Sequence, residues 1–162
     1  MTAREPALDP QAQLQDALDL SFRFLGHRDR TVAEVRQHLE RRRVEPATID
    51  GAVAELERQG YLDDARFARR FAEERRTLDG WGAERIQRRL LALGIAADDA
   101  AAALADRAPD EERAAALAVL RRRGGSPPRT DRERERALAA LVRRGFELEL
   151  AYDAVRAFER DA

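Results

Sequence analysis

Apolar residues recur along this chain at helical spacing, and no stretch alternates as a strand does. Leu14, Leu18, Phe22 and Leu25 form the first stripe, at steps of four, four and three. A second helix is predicted from Thr31 to about Arg43, carrying Val32, Val35 and Leu39; Thr31-Val32-Ala33-Glu34 reads as a capping box at its start. Pro46 suits the first turn of a third helix, whose inner face is Ile49, Ala52, Val53 and Leu56, and Gly60 suits a left-handed cap. Asp63-Asp64 then opens a helix with Phe67, Ala68, Phe71 and Ala72 on one face, which breaks near Gly80-Trp81-Gly82. Ile86, Leu90 and Leu93 mark the next helix, and an Ala-rich one follows from about Ala97 to Asp106. Asp110 to Arg123 carries Ala114, Leu117 and Leu120 before the linker Gly124-Gly125-Ser126-Pro127-Pro128. Two last helices hold Leu138, Leu141 and Val142, then Leu150, Ala154, Val155 and Phe158.

These nine segments fall into three sets with an internal offset of 51 residues. Leu39, Val44 and Val53 align with Leu90, Ile95 and Leu104, and with Leu141, Phe146 and Val155. Ala52, Ala103 and Ala154 share the grid, and the turn before the aligned apolar residue reads Arg43-Val44, Gly94-Ile95 and Gly145-Phe146. A unit of this length cannot bury its apolar face alone and must stack on a neighbour. The expectation is an all-α chain of three tandem three-helix, helix-turn-helix-like repeats in an elongated, curved array. Its parts would be a loose leader over 1–10, repeats over 11–60, 61–108 and 109–162, and a Gly/Pro linker over 124–130. Such an array works by presenting surface rather than one deep pocket.

Composition narrows the chemistry. The 162 residues include no cysteine, which removes disulfides, thiolate metal sites and a Cys nucleophile. No signal-type or membrane-spanning run is present, so the expectation is a soluble cytoplasmic protein, and since nothing marks a dimer interface, a monomer. Ser and Thr show no nucleophile motif, and His27 and His38 stand apart from other ligands as surface residues. Asp63 and Asp64 suit helix capping far better than catalysis. Gly80-Trp81-Gly82 follows no strand, so it is no dinucleotide fingerprint. No catalytic group, metal or cofactor is expected.

What remains is charge. The formal net charge is -1, yet every basic residue is Arg, and the arginines segregate. The third helices of the first two sets are acidic (Glu45, Asp50, Glu55, Glu57; Asp98, Asp99, Asp106), which argues against their reading DNA as recognition helices do. From Arg66 to Arg89, eight arginines face only four acidic residues. Two readings stand: a solvated helix face with i,i+4 partners, or a surface for a nucleoprotein. Trp81, on its Gly-flanked turn among these arginines, is either an exposed anchor or a plug between helices. Further arginines cluster at Arg36 and Arg41 to Arg43, and at Arg121 to Arg123 with Arg143 and Arg144.

Gly60-Tyr61-Leu62-Asp63-Asp64-Ala65-Arg66-Phe67-Ala68, together with Gly80-x-Gly82-x-x-Arg85-Ile86-x-x-x-Leu90-x-x-x-Gly94-Ile95, resembles the signature of the regulatory protein RecX family. Arg28-x-Arg30-Thr31-x-x-Glu34-Val35-x-x-x-Leu39 resembles the first unit of that family, where Ser is commoner than Thr31. The likeness covers roughly residues 14–160, is most specific in the middle third and weakens after Asp110. Two features depart from the pattern. Arg42-Arg43 and Leu93-Gly94 stand where Lys-Gly is frequent, and Gly124 to Arg132 lengthens the last loop.

The resemblance implies a non-catalytic regulator of the RecA recombinase. Such a protein binds in the groove of the RecA–DNA filament and inhibits ATP hydrolysis, strand exchange and co-protease activity in DNA repair and the SOS response. The residues placed at that contact are Arg66, Arg69, Arg70, Arg85, Arg88 and Arg89 with Trp81 as anchor, joined by Arg36, Arg42 and Arg43. Phe67, Phe71, Ile86 and Leu90 are assigned to the core. The rival reading is a helical repeat protein that binds nucleic acid directly, which the near-neutral charge disfavours.

Overall fold

Asp9 accepts a hydrogen bond from the Gln11 amide and caps the first helix, so Asp9 and Pro10, expected in the leader, already belong to the fold. The computed structural model describes residues 9–161; the rest of the expected leader lies outside the described residues. All regular structure among them is helical. The helices are α1 (Pro10–Leu25), α2 (Val32–Arg41), α3 (Pro46–Arg58), α4 (Asp64–Glu74), α5 (Ala83–Ala92), α6 (Ala97–Ala105), α7 (Pro109–Arg122), α8 (Asp131–Arg143) and α9 (Leu148–Glu159). A π-helical turn, Arg75–Asp79, extends α4 and ends on Gly80 in the left-handed region.

The chain divides into two units. One holds the residues through Phe67 together with Leu93–Ile95; the other holds Ala68–Ala92 and the residues from Ala96 onward. In the first, α1, α2 and α3 pack pairwise around Ala17, Leu18, Val35, Leu39, Ile49, Ala52, Val53, Leu56 and Leu62. The local signals act as the sequence indicates. Thr31 and Glu34 form the capping box, Pro46 starts α3, and Gly60 sits at φ +80°. Burial pushes the Glu34 carboxyl up, but the Arg28 hydrogen bond, the Thr31 amide and the charges of Arg28 and Arg30 together hold it below its usual range. Phe22 departs from its stripe: it is partly exposed and meets the Tyr61 ring edge-on at 5.1 Å. His38 departs too, since it stacks on Phe24 at 4.1 Å instead of standing free at the surface. That burial, then the positive charges of Arg42, Arg30 and Arg41, lower its pKa.

In the second unit, α7, α8 and α9 enclose Ala116, Val119, Leu120, Leu141, Phe146, Ala151, Ala154, Val155 and Phe158. Helix α5 packs on α6 through fully buried Ile86 and Leu90, near buried Ala100 and Ala103. On α4 the fully buried residues are Ala68 and Ala72. Phe67 and Phe71, expected in the core, are only half-buried. Each sits one position before the buried alanine, about 100° around the helix, and so lies at the edge of the packed face.

The 51-residue repeat has a physical counterpart in the turns. Arg43, Gly94 and Gly145 all have positive φ (59°, 84° and 92°). Val44 and Phe146 donate their amides back to Leu39 and Leu141, each at 3.1 Å, in the geometry of a left-handed helix end. Two of these turns dock onto a helix start. In the first unit, the Thr31 hydroxyl donates to the Leu93 carbonyl at 2.7 Å, and a Cβ on Gly94 would lie 2.3 Å from the Ala33 Cβ. In the second, the Gly82 amide donates to Arg144 O at 2.8 Å and the Glu84 amide to Gly145 O at 2.9 Å. A Cβ on Gly145 would lie 2.4 Å from the Arg85 nitrogen. Advancing Thr31 and Leu93 by one repeat gives Gly82 and Arg144, so both contacts are the same joint. It explains why Leu93–Ile95 groups with the first unit. Arg43 remains exposed, which leaves room for a side chain.

Candidate functional site

The paired carboxylates at the head of α4 serve structure. Asp63 accepts from the Arg66 amide at 2.9 Å as a helix cap. Asp64 accepts from the Val32 amide at 2.9 Å, so it also satisfies the first turn of α2. The Arg66 side chain is exposed and donates to the Gly60 carbonyl at 2.7 Å, closing the end of α3.

Further along α4, exposed Arg69 and Arg70 line a depression of about 410 Å³ with Glu73, Glu74, Arg76, Ala103 and Asp106. Its charges are mixed. Arg76 is buried at 8% exposure and donates to the Leu104 carbonyl at 3.1 Å. Burial, then the charge of Arg107, lower its pKa, while Glu112, Glu73 and Asp106 oppose the shift. Glu112 is itself buried: it takes a salt bridge from Arg107 at 3.0 Å and accepts from the Ala83 amide at 2.8 Å. That carboxylate thereby caps α5 from another helix. Arg76 and Glu112 belong to the fold, and no local signal marks either, because their partners lie far along the chain.

Trp81 is not a sealed plug between helices. It is half-buried, with Phe71 edge-on at 6.3 Å and two guanidinium groups over its ring: Arg85 at 4.1 Å and Arg75 at 5.7 Å. Arg75 also pairs with Asp79 at 2.5 Å across the π-helical turn. Arg85 reaches the Arg143 carbonyl at 3.5 Å. Cations stacked on indole in a partly desolvated setting fix the turn that launches α5.

On α5, Arg88 and Arg89 lie three and four residues past Arg85 and so share its face. Both are exposed and make no ion pair or side-chain hydrogen bond among the described residues. Like charges at this spacing cost a helix about 0.2–0.5 kcal/mol, and Glu84, four residues before Arg88, forms no ion pair with it. In the first unit, Arg36 pairs with Asp50 at 2.7 Å, whereas Arg42 and Arg43 stand exposed at the end of α2. The structure thus gathers Arg69 with Arg70, and Arg85 with Trp81, Arg88 and Arg89; Arg36, Arg42 and Arg43 belong to the other unit. An exposed side chain that the sequence reading left out is Leu78, 73% exposed on the π-helical turn. No helix among the described residues is long and apolar enough to cross a membrane.

Two family models match the chain: RecX, first three-helix domain, over residues 17–56, and RecX, second three-helix domain, over 63–104. A protein named Regulatory protein RecX from Cronobacter sakazakii is 33% identical over 152 residues, covering 88% of this chain and 92% of that protein. Its namesake from Mycobacteroides abscessus is 36% identical over 156 residues, covering 94% and 75%. The one from Lactobacillus delbrueckii subsp. bulgaricus (strain ATCC BAA-365 / Lb-18) is longer; the match spans 61% of this chain and only 36% of that relative. Among solved structures, RecX from Lactobacillus salivarius superposes with a TM-score of 0.84 at 14% identity, covering 93% of this chain and 99% of the other. At that identity the likeness speaks for the fold.

Proposed function

This chain belongs to the RecX family, and from that premise we propose that it is a non-catalytic regulator that binds in the groove of the RecA–DNA filament. Bound there, it inhibits ATP hydrolysis, strand exchange and co-protease activity, acting as a cytoplasmic monomer in DNA repair and the SOS response. The observation that carries this reading is the outer face of α5. Arg88 and Arg89 stay exposed and unpaired there, while the neighbouring cations Arg75, Arg76 and Arg85 are engaged by the fold. A filament groove lined with carboxylates or phosphates would satisfy the planar, multiply donating guanidinium groups. Several weak contacts on one scaffold add through effective concentration, so a near-neutral chain can hold a filament without holding free DNA tightly. Arg69 and Arg70 are further contact candidates on the same unit, and Arg36, Arg42 and Arg43 are separate candidates on the other.

The test is binding of Arg88→Glu/Arg89→Glu to RecA filaments assembled on DNA, beside a thermal melt. The expected outcome is a loss of about tenfold or more in affinity, as for two desolvated charge contacts, with an unchanged melt. Retained affinity in a folded variant would remove α5 from the contact.

A further inference from the structure

The arginines of α8 divide by face. Arg134 pairs with Asp131 at 2.5 Å and also with Glu159. On the other side, Arg132, Arg136 and Arg143 fall on one stripe with Ala139 between them, all exposed, and none makes an ion pair among the described residues. Opposite stands Arg123, at the end of α7. Two hollows adjoin along this stripe. One, of about 440 Å³, is lined by Arg123, Arg132, Glu135, Arg136, Ala139 and Arg143. The other, of about 580 Å³, shares Arg123 and Arg136 and continues under the Gly125–Arg129 linker.

The carboxylates do little to offset these charges. Glu133 is occupied by the amides of Arg129 at 2.7 Å and Thr130 at 3.1 Å, which together with the nearby Arg129 charge hold its pKa low. Only Glu135 remains on the stripe. Arg132 and Arg136 stand one turn apart with like charge, an arrangement that disfavours a helix unless an anion lies across it.

From this geometry we infer that the α7–linker–α8 surface of the last three helices is a groove for the phosphodiester backbone of a single nucleic-acid strand. Arg132 to Arg143 spans about 16 Å of helix. A stacked strand carries one phosphate per ~3.4 Å, so the stripe can meet several of them. Arginine forks suit phosphate oxygens. The Gly124 and Gly125 backbone is unobstructed, since a Cβ at either would meet nothing within 4 Å. The one aromatic lining residue, Phe158, is buried in the core, so no ring is offered to stack on bases. The groove therefore holds backbone and ignores sequence. It lies outside both matched domains and needs no recombinase, so it stands apart from the filament reading.

The experiment is anisotropy of a short labelled oligothymidylate, and of a mixed-sequence strand, across a salt series with the full chain. Arg132→Gln/Arg136→Gln/Arg143→Gln is compared with Arg113→Gln/Arg156→Gln/Arg160→Gln, which removes the same charge from the α7–α9 side. The expected result is weak, salt-sensitive wild-type binding, equal for both strands. The groove variant should lose about tenfold, with its log–log salt slope smaller by about 2 at ~0.7 per phosphate contact, while the control changes less than about twofold. Both variants should keep the wild-type melt; Arg136→Gln alone gives the same direction of change should the triple variant melt early. Equal losses in the two triple variants, no wild-type binding, or displacement by polyglutamate as readily as by unlabelled strand would overturn the proposal.

Discussion

In the π-helical turn that follows α4, arginine is consumed by the fold; on the outer face of α5, a few residues later, it is left over. Arg75 pairs with Asp79 and covers Trp81, and Arg76 is buried against the Leu104 carbonyl. The Nε atoms of both are buried without a hydrogen-bond partner among the described residues, a cost accepted only where neighbouring contacts repay it. Arg88 and Arg89 reach water with no such contacts. Arg85 stands between the two groups, half-buried on Trp81 yet on the same face as Arg88 and Arg89. The contrast teaches that a run of arginines in this sequence is two populations, and that only one is available to a partner.

That comparison can be broken most severely at its support. Gly145→Ala would force a side chain into a φ +92° turn and against the Arg85 backbone. It should destabilise the second unit by about 3 kcal/mol or more, seen as a lower midpoint in chemical denaturation. Arg76→Ala comes next. It removes a buried cation and leaves Glu73, Asp106 and Glu112 less balanced, so a loss of about 2–3 kcal/mol is expected in the same assay. Arg85→Gln should cost about 1 kcal/mol through the lost stack on Trp81, and should blue- or red-shift the fluorescence of this lone indole. Arg88→Gln/Arg89→Gln should move the midpoint by less than ~0.5 kcal/mol, because neither side chain makes an ion pair or side-chain hydrogen bond on which the fold depends. Equal costs at Arg76 and at Arg88/Arg89 would erase the distinction between the populations.

How much of this was legible in the sequence depended on the range of the interaction. Periodicity and caps are local, so the helices, the Thr31–Glu34 capping box and the left-handed Gly60 could be read from spacing alone. The repeat aligned Arg43, Gly94 and Gly145 correctly as one turn. It did not say that two of them seat a helix start, nor that Arg43 holds its left-handed turn as an exposed side chain. Glu112 capping α5, Asp64 capping α2 and the burial of Arg76 join residues distant in the chain, and a single sequence carries no trace of such pairs. Phe67 and Phe71 were misassigned for a simpler reason. A hydrophobic stripe two residues wide does not reveal which edge faces inward, and here the alanines do. The charge count of the middle segment, eight arginines against four carboxylates, leaves open which arginines are paired, because that depends on contacts with residues distant in the chain.

The most direct test of the central claim, that this chain restrains a RecA filament through the unpaired α5 arginines, is DNA-dependent ATP hydrolysis by the cognate recombinase. The chain would be titrated well below one molecule per RecA protomer, beside Arg88→Gln/Arg89→Gln and a DNA-only binding control. The account predicts strong inhibition by the wild-type chain at levels where free DNA is scarcely bound, and its marked loss in the folded double variant. Undiminished hydrolysis at saturating wild-type chain, or equal inhibition by the variant, would contradict it.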